Sequence, residues 1–122
     1  MPTTTTTRSV DGVTILDVIG QDVRRDEGAA LRDLVAELVG KGHRKILLNL
    51  AAVNYIDSSG LGNLVSACVR VRMYDGELKL LNPTDKVHKV LQITKLSTVF
   101  DIIMNDEAAA IKSFGQSATA AG

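Results

Sequence analysis

The sequence contains little cysteine, no excess charge of either sign and no long apolar run, and each absence excludes a class of protein. The one cysteine, Cys68, cannot form an internal disulfide, and its place on an apolar stripe predicts a buried side chain rather than a reactive thiol. The 14 basic and 14 acidic residues cancel, which argues against nucleic-acid binding because that function needs a clustered basic surface. No apolar stretch approaches the ~20 residues of a membrane span and no signal peptide opens the chain, so we expect a cytoplasmic protein with no membrane contact.

Residue patterns for catalysis and metal binding are also lacking. His43 and His88 stand far apart, and no His-x-x-x-His, Cys-x-x-Cys or carboxylate cluster marks a metal site. Asp57 precedes two serines, but the Gly-x-Ser-x-Gly motif is absent and Asp57 is too near them in sequence to act as a positioned base. The same segment lacks the lysine and the spacing of a P-loop. We therefore predict that the chain is not an enzyme and holds no metal or other cofactor.

The most informative segment that is present joins a strand to a helix at residues 57–62, Asp-Ser-Ser-Gly-Leu-Gly. Residues 46–50 before it predict a short buried strand, and apolar residues recur after it at helical spacing. We expect Ser58 or Ser59 to be the N-cap of that helix, at an exposed edge of the fold. Free backbone N–H groups and a partial positive charge at a helix N-terminus would tolerate a phosphate there. The serine is then either a simple cap or a switch.

Two glycines favour the switch. Gly60 and Gly62 fall in the first helical turn, where each costs up to about 1 kcal/mol relative to alanine. A helix that needed only a cap would have no reason to accept both. We expect their missing side chains to let another protein approach the serines.

Residues 57–62 closely resemble the phosphorylation motif of bacterial anti-sigma factor antagonists, the STAS-domain family. The resemblance extends over about residues 8–117 and includes a strand ending near Gly20, a Gly-x-Leu-x-Leu strand at 76–80 and a Leu-x-x-Val-Phe segment at 96–100. It implies that the unmodified protein binds an anti-sigma factor, which is also a serine kinase, and so releases a sigma factor. Phosphorylation of Ser58 would end that binding, and a serine phosphatase would restore it.

The resemblance also indicates a partner-binding surface around Ser58. Its expected residues are Asp22, Asp57, Ser59, Gly60, Leu61, Gly62, Asn63, Ser66 and Arg70. For Asn63, Ser66 and Arg70, an ordinary solvated helix face is an equal alternative. Asp22 stands one position before the acidic residue of many family members, and Asn49 stands where an aspartate is common. The alternative function is a non-switching STAS scaffold subunit in a stress-signalling or transporter-associated complex, which would not need a phosphorylatable serine.

The order of elements predicts an α/β fold with a small mixed, mainly parallel sheet of four to five strands and about four helices mostly on one face. We expect a turn at Asp11-Gly12, an extended apolar segment at 96–103, and a last helix with an apolar face of Ala108, Ile111 and Phe114. Residues 1–7 are predicted to be a flexible tail, 8–117 a STAS domain and 118–122 a second flexible tail.

Overall fold

A computed structural model describes residues 4–20 and 22–114 of the protein. In chain order the elements are β1 (Thr4–Val10), β2 (Val13–Ile19), β3 (Asp22–Val23), α1 (Arg25–Gly40), β4 (Lys45–Asn49), β5 (Tyr55–Ile56), α2 (Ser58–Met73), β6 (Glu77–Leu81), α3 (Asp85–Ile93), a 3-10 turn (Leu96–Thr98), β7 (Asp101–Ile103) and α4 (Glu107–Ser113). The main sheet has five strands in the order β1-β2-β4-β6-β7, and β3 pairs with β5 separately. Within the main sheet only the β1–β2 pair is antiparallel, so the predicted fold class is confirmed.

The sheet begins with a hairpin that turns at Asp11 and Gly12. Both residues have positive φ values, 51° and 81°, which match the twist of a two-residue hairpin turn. The predicted tail is wrong for residues 4–7, because these threonines form β1 and pair with β2 from Thr4–Ile19 to Thr7–Leu16. A run of one residue type shows no alternation, but β-branched threonine suits an edge strand. Residues 1–3 and 118–122 lie outside the described residues.

Side chains alternate between two cores on opposite sides of the main sheet. The larger core, under α1, α2 and α3, receives Leu16, Ile46, Leu48, Leu78 and Leu80 from the strands. The smaller core, under α4, receives Val13, Ile15, Leu47 and Leu81. Three of the four described helices therefore cover one face, as predicted.

Two predictions near the end of the described chain are wrong in detail. Ile111 and Phe114 pack against the smaller core as predicted, but Ala108 is exposed and Ala110 is buried in its place, because the two alanines lie about 200° apart around the helix. The segment predicted to be extended over 96–103 first forms the 3-10 turn, which is closed by a hydrogen bond from Val99 N to Leu96 O at 3.0 Å. Leu96 and Phe100 reach the larger core through this turn, and only the last three residues of the segment form β7.

A charged cluster joins β1, β2 and the start of α4. Arg8 Nε donates to Asp17 Oδ2 at 2.6 Å, and the same guanidinium also pairs with Glu107. Asn49 Nδ2 donates to Asp17 Oδ1 at 2.8 Å, so this asparagine orients a carboxylate rather than packing the strand. The Arg8 guanidinium holds the pKa of Asp17 below its usual range, because it stabilises the charged carboxylate.

Asp17→Asn should lower the free energy of unfolding by about 0.5–1 kcal/mol near pH 7. The folded-state pKa of Asp17 lies below its unfolded value of about 3.9, so its stabilisation is complete above that pH and is lost as pH falls through the folded pKa. The difference between wild type and variant should therefore shrink below about pH 4, which urea denaturation at several pH values measures. Parallel stability curves down to about pH 2.5 would contradict this assignment.

Candidate functional site

The site is the N-terminus of α2, where Asp57 is the N-cap. Asp57 is extended, with φ −92° and ψ 175°, and its Oδ1 accepts a hydrogen bond from Gly60 N at 2.6 Å. The expectation that Ser58 or Ser59 caps the helix is therefore wrong. Aspartate caps as well as serine does, and here β5 ends at Ile56, so the first non-strand residue is Asp57.

The two serines consequently have no part in the cap. Ser58 and Ser59 are the first two residues of α2, and both are exposed. Within residues 4–20 and 22–114, neither hydroxyl makes a hydrogen bond to another group. Both hydroxyls are therefore free to meet a partner or a phosphate donor.

A short parallel pair of strands positions this helix start. Asp22 pairs with Tyr55, and Val23 pairs with Ile56. Immediately after the pair, Asp57 N donates to Val23 O at 3.2 Å. Val23 is buried, and this backbone contact fastens the segment before α1 to the serine loop.

Gly60 and Gly62 serve different purposes. A Cβ on Gly60 would overlap the Val23 carbonyl, lying 3.0 Å from its carbon, and a Cβ on Gly28 would lie 2.8 Å from Gly60 Cα. Gly60 is thus needed for contact inside the domain, and the expectation that it opens the surface is wrong. Gly62 is exposed and a Cβ there would meet nothing within 4 Å, so the space beside it is open to a partner.

The structure sorts the predicted partner residues by exposure. Gly60 and Leu61 are buried, so neither presents a side chain to a partner. The remaining residues form one face of the domain. Exposed or half-buried on this face are Asp22, Asp57, Ser59, Gly62, Asn63, Ser66 and Arg70.

Sequence reasoning missed three residues beside the serines. The Arg24 guanidinium lies 4.9 Å from the centre of the Tyr55 ring and 3.4 Å from Asp22 Oδ2, so Asp22 is already engaged within the domain. Arg32 Nη1 donates to Asn63 Oδ1 at 3.0 Å. Because the Arg24–Tyr55 and Arg32–Asn63 contacts each join residues 31 positions apart, no local pattern could have found them.

The inner face of α2 is inert. Cys68 is buried as predicted, and burial raises the pKa of its thiol.

Among the described side chains, no group of three His, Cys, Asp or Glu residues could hold a metal ion. In that same part of the chain, no helix is long and apolar enough to cross a membrane.

Comparison with known proteins agrees with this architecture. Residues 5–110 match the family described as the STAS domain. The chain belongs to the STAS domain family. The predicted resemblance is confirmed at this level.

Individual STAS proteins show the extent of the similarity. BtrV of Bordetella bronchiseptica, whose name proposes an anti-sigma factor antagonist, is 31% identical over 101 residues, which are 83% of this chain and 86% of BtrV. A Thermotoga neapolitana homologue of the same proposed type is 39% identical over 66 residues, 54% of this chain and 58% of that protein. A crystal structure from Thermotoga maritima, also proposed to be such an antagonist, has a TM-score of 0.78 and 27% identity, covering 88% of this chain and 92% of that one.

Gly60→Ala and Gly62→Ala should have opposite effects on stability. The first inserts a methyl group against the Val23 carbonyl and should lower the free energy of unfolding by about 2–3 kcal/mol. The second places alanine in open space on a helix and should raise it by up to about 1 kcal/mol. Chemical denaturation of both variants measures the difference. Equal effects would show that Gly60 is not in a close backbone contact.

Proposed function

We propose that this chain is an anti-sigma factor antagonist whose binding is controlled by phosphorylation of Ser58. The unmodified protein binds an anti-sigma factor that is also a serine kinase, and the sigma factor held by that regulator is released. Phosphate on Ser58 ends the binding, and a serine phosphatase restores it. The chain acts as a binding module, with no catalysis, cofactor, nucleic acid or membrane of its own.

The observation that carries this proposal is the position of Ser58, exposed and unbonded at the first residue of α2. Because Asp57 supplies the cap, the Ser58 hydroxyl can be modified without removing the hydrogen bond that starts the helix. The similarity to BtrV over most of both chains, in a protein whose name proposes the same role, supports the choice of partner class.

Charge at the contact surface is the physical basis of the switch. A phosphate adds roughly −1.5 to −2 charges at neutral pH, next to the Asp57 carboxylate. If a partner covers that charge without pairing it, the cost is several kcal/mol, and about 4 kcal/mol weakens binding nearly a thousandfold. The phosphate itself suits the helix, which it stabilises by up to about 1 kcal/mol, so the modified domain stays folded.

Incubation with the anti-sigma regulator of the same host and ATP should add one phosphate, on Ser58. Ser58→Ala should abolish the mass increase, whereas Ser59→Ala should keep most of it. Intact-protein mass spectrometry followed by peptide mapping measures both outcomes. Phosphate that persists in Ser58→Ala and disappears in Ser59→Ala would reassign the acceptor to Ser59.

Binding of the regulator should decrease in the order unmodified, Ser58→Asp, phosphorylated, because aspartate carries only about half the charge of the phosphate. Ser58→Ala should bind as the unmodified protein does and change the free energy of unfolding by no more than about 0.5 kcal/mol, since Asp57 keeps the cap. Calorimetric titration measures the affinities, and circular dichroism checks the fold of each form. Equal affinity of the phosphorylated and unmodified proteins would reject the switch and favour the scaffold function.

A further inference from the structure

The second half of α2 carries an apolar groove of about 440 Å³, which begins at Ser66 and Arg70 of the expected partner surface and extends away from Ser58. Its lining residues are Val65, Ser66, Val69, Arg70, Met73 and Tyr74. Met73 is 75% exposed, and Val69 and Tyr74 are each about half exposed. Single exposed apolar residues are common on proteins, but several around one groove indicate a contact surface.

The charge at this groove is positive. Arg70 lines it and, among the residues that the structure describes, makes no hydrogen bond or ion pair. The Arg44 guanidinium lies 5.6 Å from the centre of the Tyr74 ring, which also lines the groove. Among the residues for which the structure gives positions, no acidic side chain lines the groove. The complementary ligand is therefore a segment that presents an apolar side chain next to a carboxylate.

The groove is continuous with the surface around Ser58. Ser59, Gly62, Ser66, Val69 and Met73 follow one another at spacings of three or four residues, and all are exposed. They therefore form one stripe along α2, about 21 Å long from Ser59 to Met73. A standard interface buries about 800 Å² on each partner and is roughly 30 Å wide. One partner that covers Ser58 can thus reach the groove.

We propose that the groove is a second anchor for the same regulator that covers Ser58. It receives an apolar side chain of the regulator, and a neighbouring carboxylate pairs with Arg70. This inference rests on the proposed function. A second copy of this chain fits less well, because a twofold contact would bring the arginines of both copies together. A lipid surface fits less well because it is flat, whereas a groove accepts a projecting side chain.

The second anchor should be insensitive to phosphorylation. Met73 lies about 22 Å along α2 from Ser58, well beyond the Debye length of about 8 Å at physiological salt. Contributions from sites this far apart add independently. The groove therefore holds the regulator equally in both states, while Ser58 alone supplies the change.

The test is calorimetric titration of the purified regulator into wild type, Met73→Ala and Arg70→Gln, each with and without the Ser58→Asp substitution. Met73→Ala should weaken binding about tenfold in both backgrounds. Arg70→Gln should weaken binding and reduce its dependence on salt. Ile93→Ala is the matched control, because Ile93 is 73% exposed but lies on α3 outside the groove, and it should change affinity less than twofold.

Several outcomes would overturn this inference. A change of less than twofold in Met73→Ala, with phosphorylation of Ser58 still weakening binding, would reject the groove and leave the proposed function intact. Failure of wild type to bind the regulator would reject both. If wild type is a dimer in sedimentation and Met73→Ala is a monomer, the groove binds a second copy of the chain instead. If wild type binds anionic lipid vesicles and Met73→Ala does not, the groove binds a membrane instead.

Discussion

The hydrogen bond from Gly60 N to the Asp57 carboxylate is the interaction on which the site depends. Because this bond makes Asp57 the N-cap, α2 begins at Ser58 and both serines lie in its first turn. Their hydroxyls therefore take no part in capping the helix. Had a serine supplied the cap, its hydroxyl would be committed to the backbone, and modification would remove the bond that starts the helix. The aspartate thus leaves the Ser58 hydroxyl without a part in starting the helix.

Backbone contacts act together with the Asp57 cap to hold the serine loop in place. The β3–β5 pair ends where Asp57 N meets Val23 O, and Gly60 packs against the same carbonyl group. Gly28 brings α1 against this point from the other side. These contacts are made by backbone atoms and by glycines, which have no side chain. They therefore depend on how the strands and helices are arranged.

Most predictions that rested on a local pattern within one element are confirmed. The turn at Asp11 and Gly12, the buried strand before the serine segment and the apolar stripe of α2 all have local patterns, and the structure agrees with each. Sequence reasoning failed where the deciding partner lies elsewhere in the chain. The strands β3 and β5 have two residues each, which is too short to show an alternation of apolar and polar residues. The threonines of β1 form a strand through their pairing with β2, and Gly60 is required by its contacts with Val23 and Gly28, which are distant in the sequence. The choice of Asp57 over Ser58 as cap depended on where β5 stopped.

A loop positioned by backbone contacts also allows the surface to evolve separately from the fold. The exposed residues of α2, such as Gly62, Ser66 and Val69, take no part in fixing where the serines stand. Duplicated genes could therefore diverge at these positions and recognise different regulators without rebuilding the domain. Separate signalling circuits within one cell could be kept apart by a few surface substitutions on a shared scaffold.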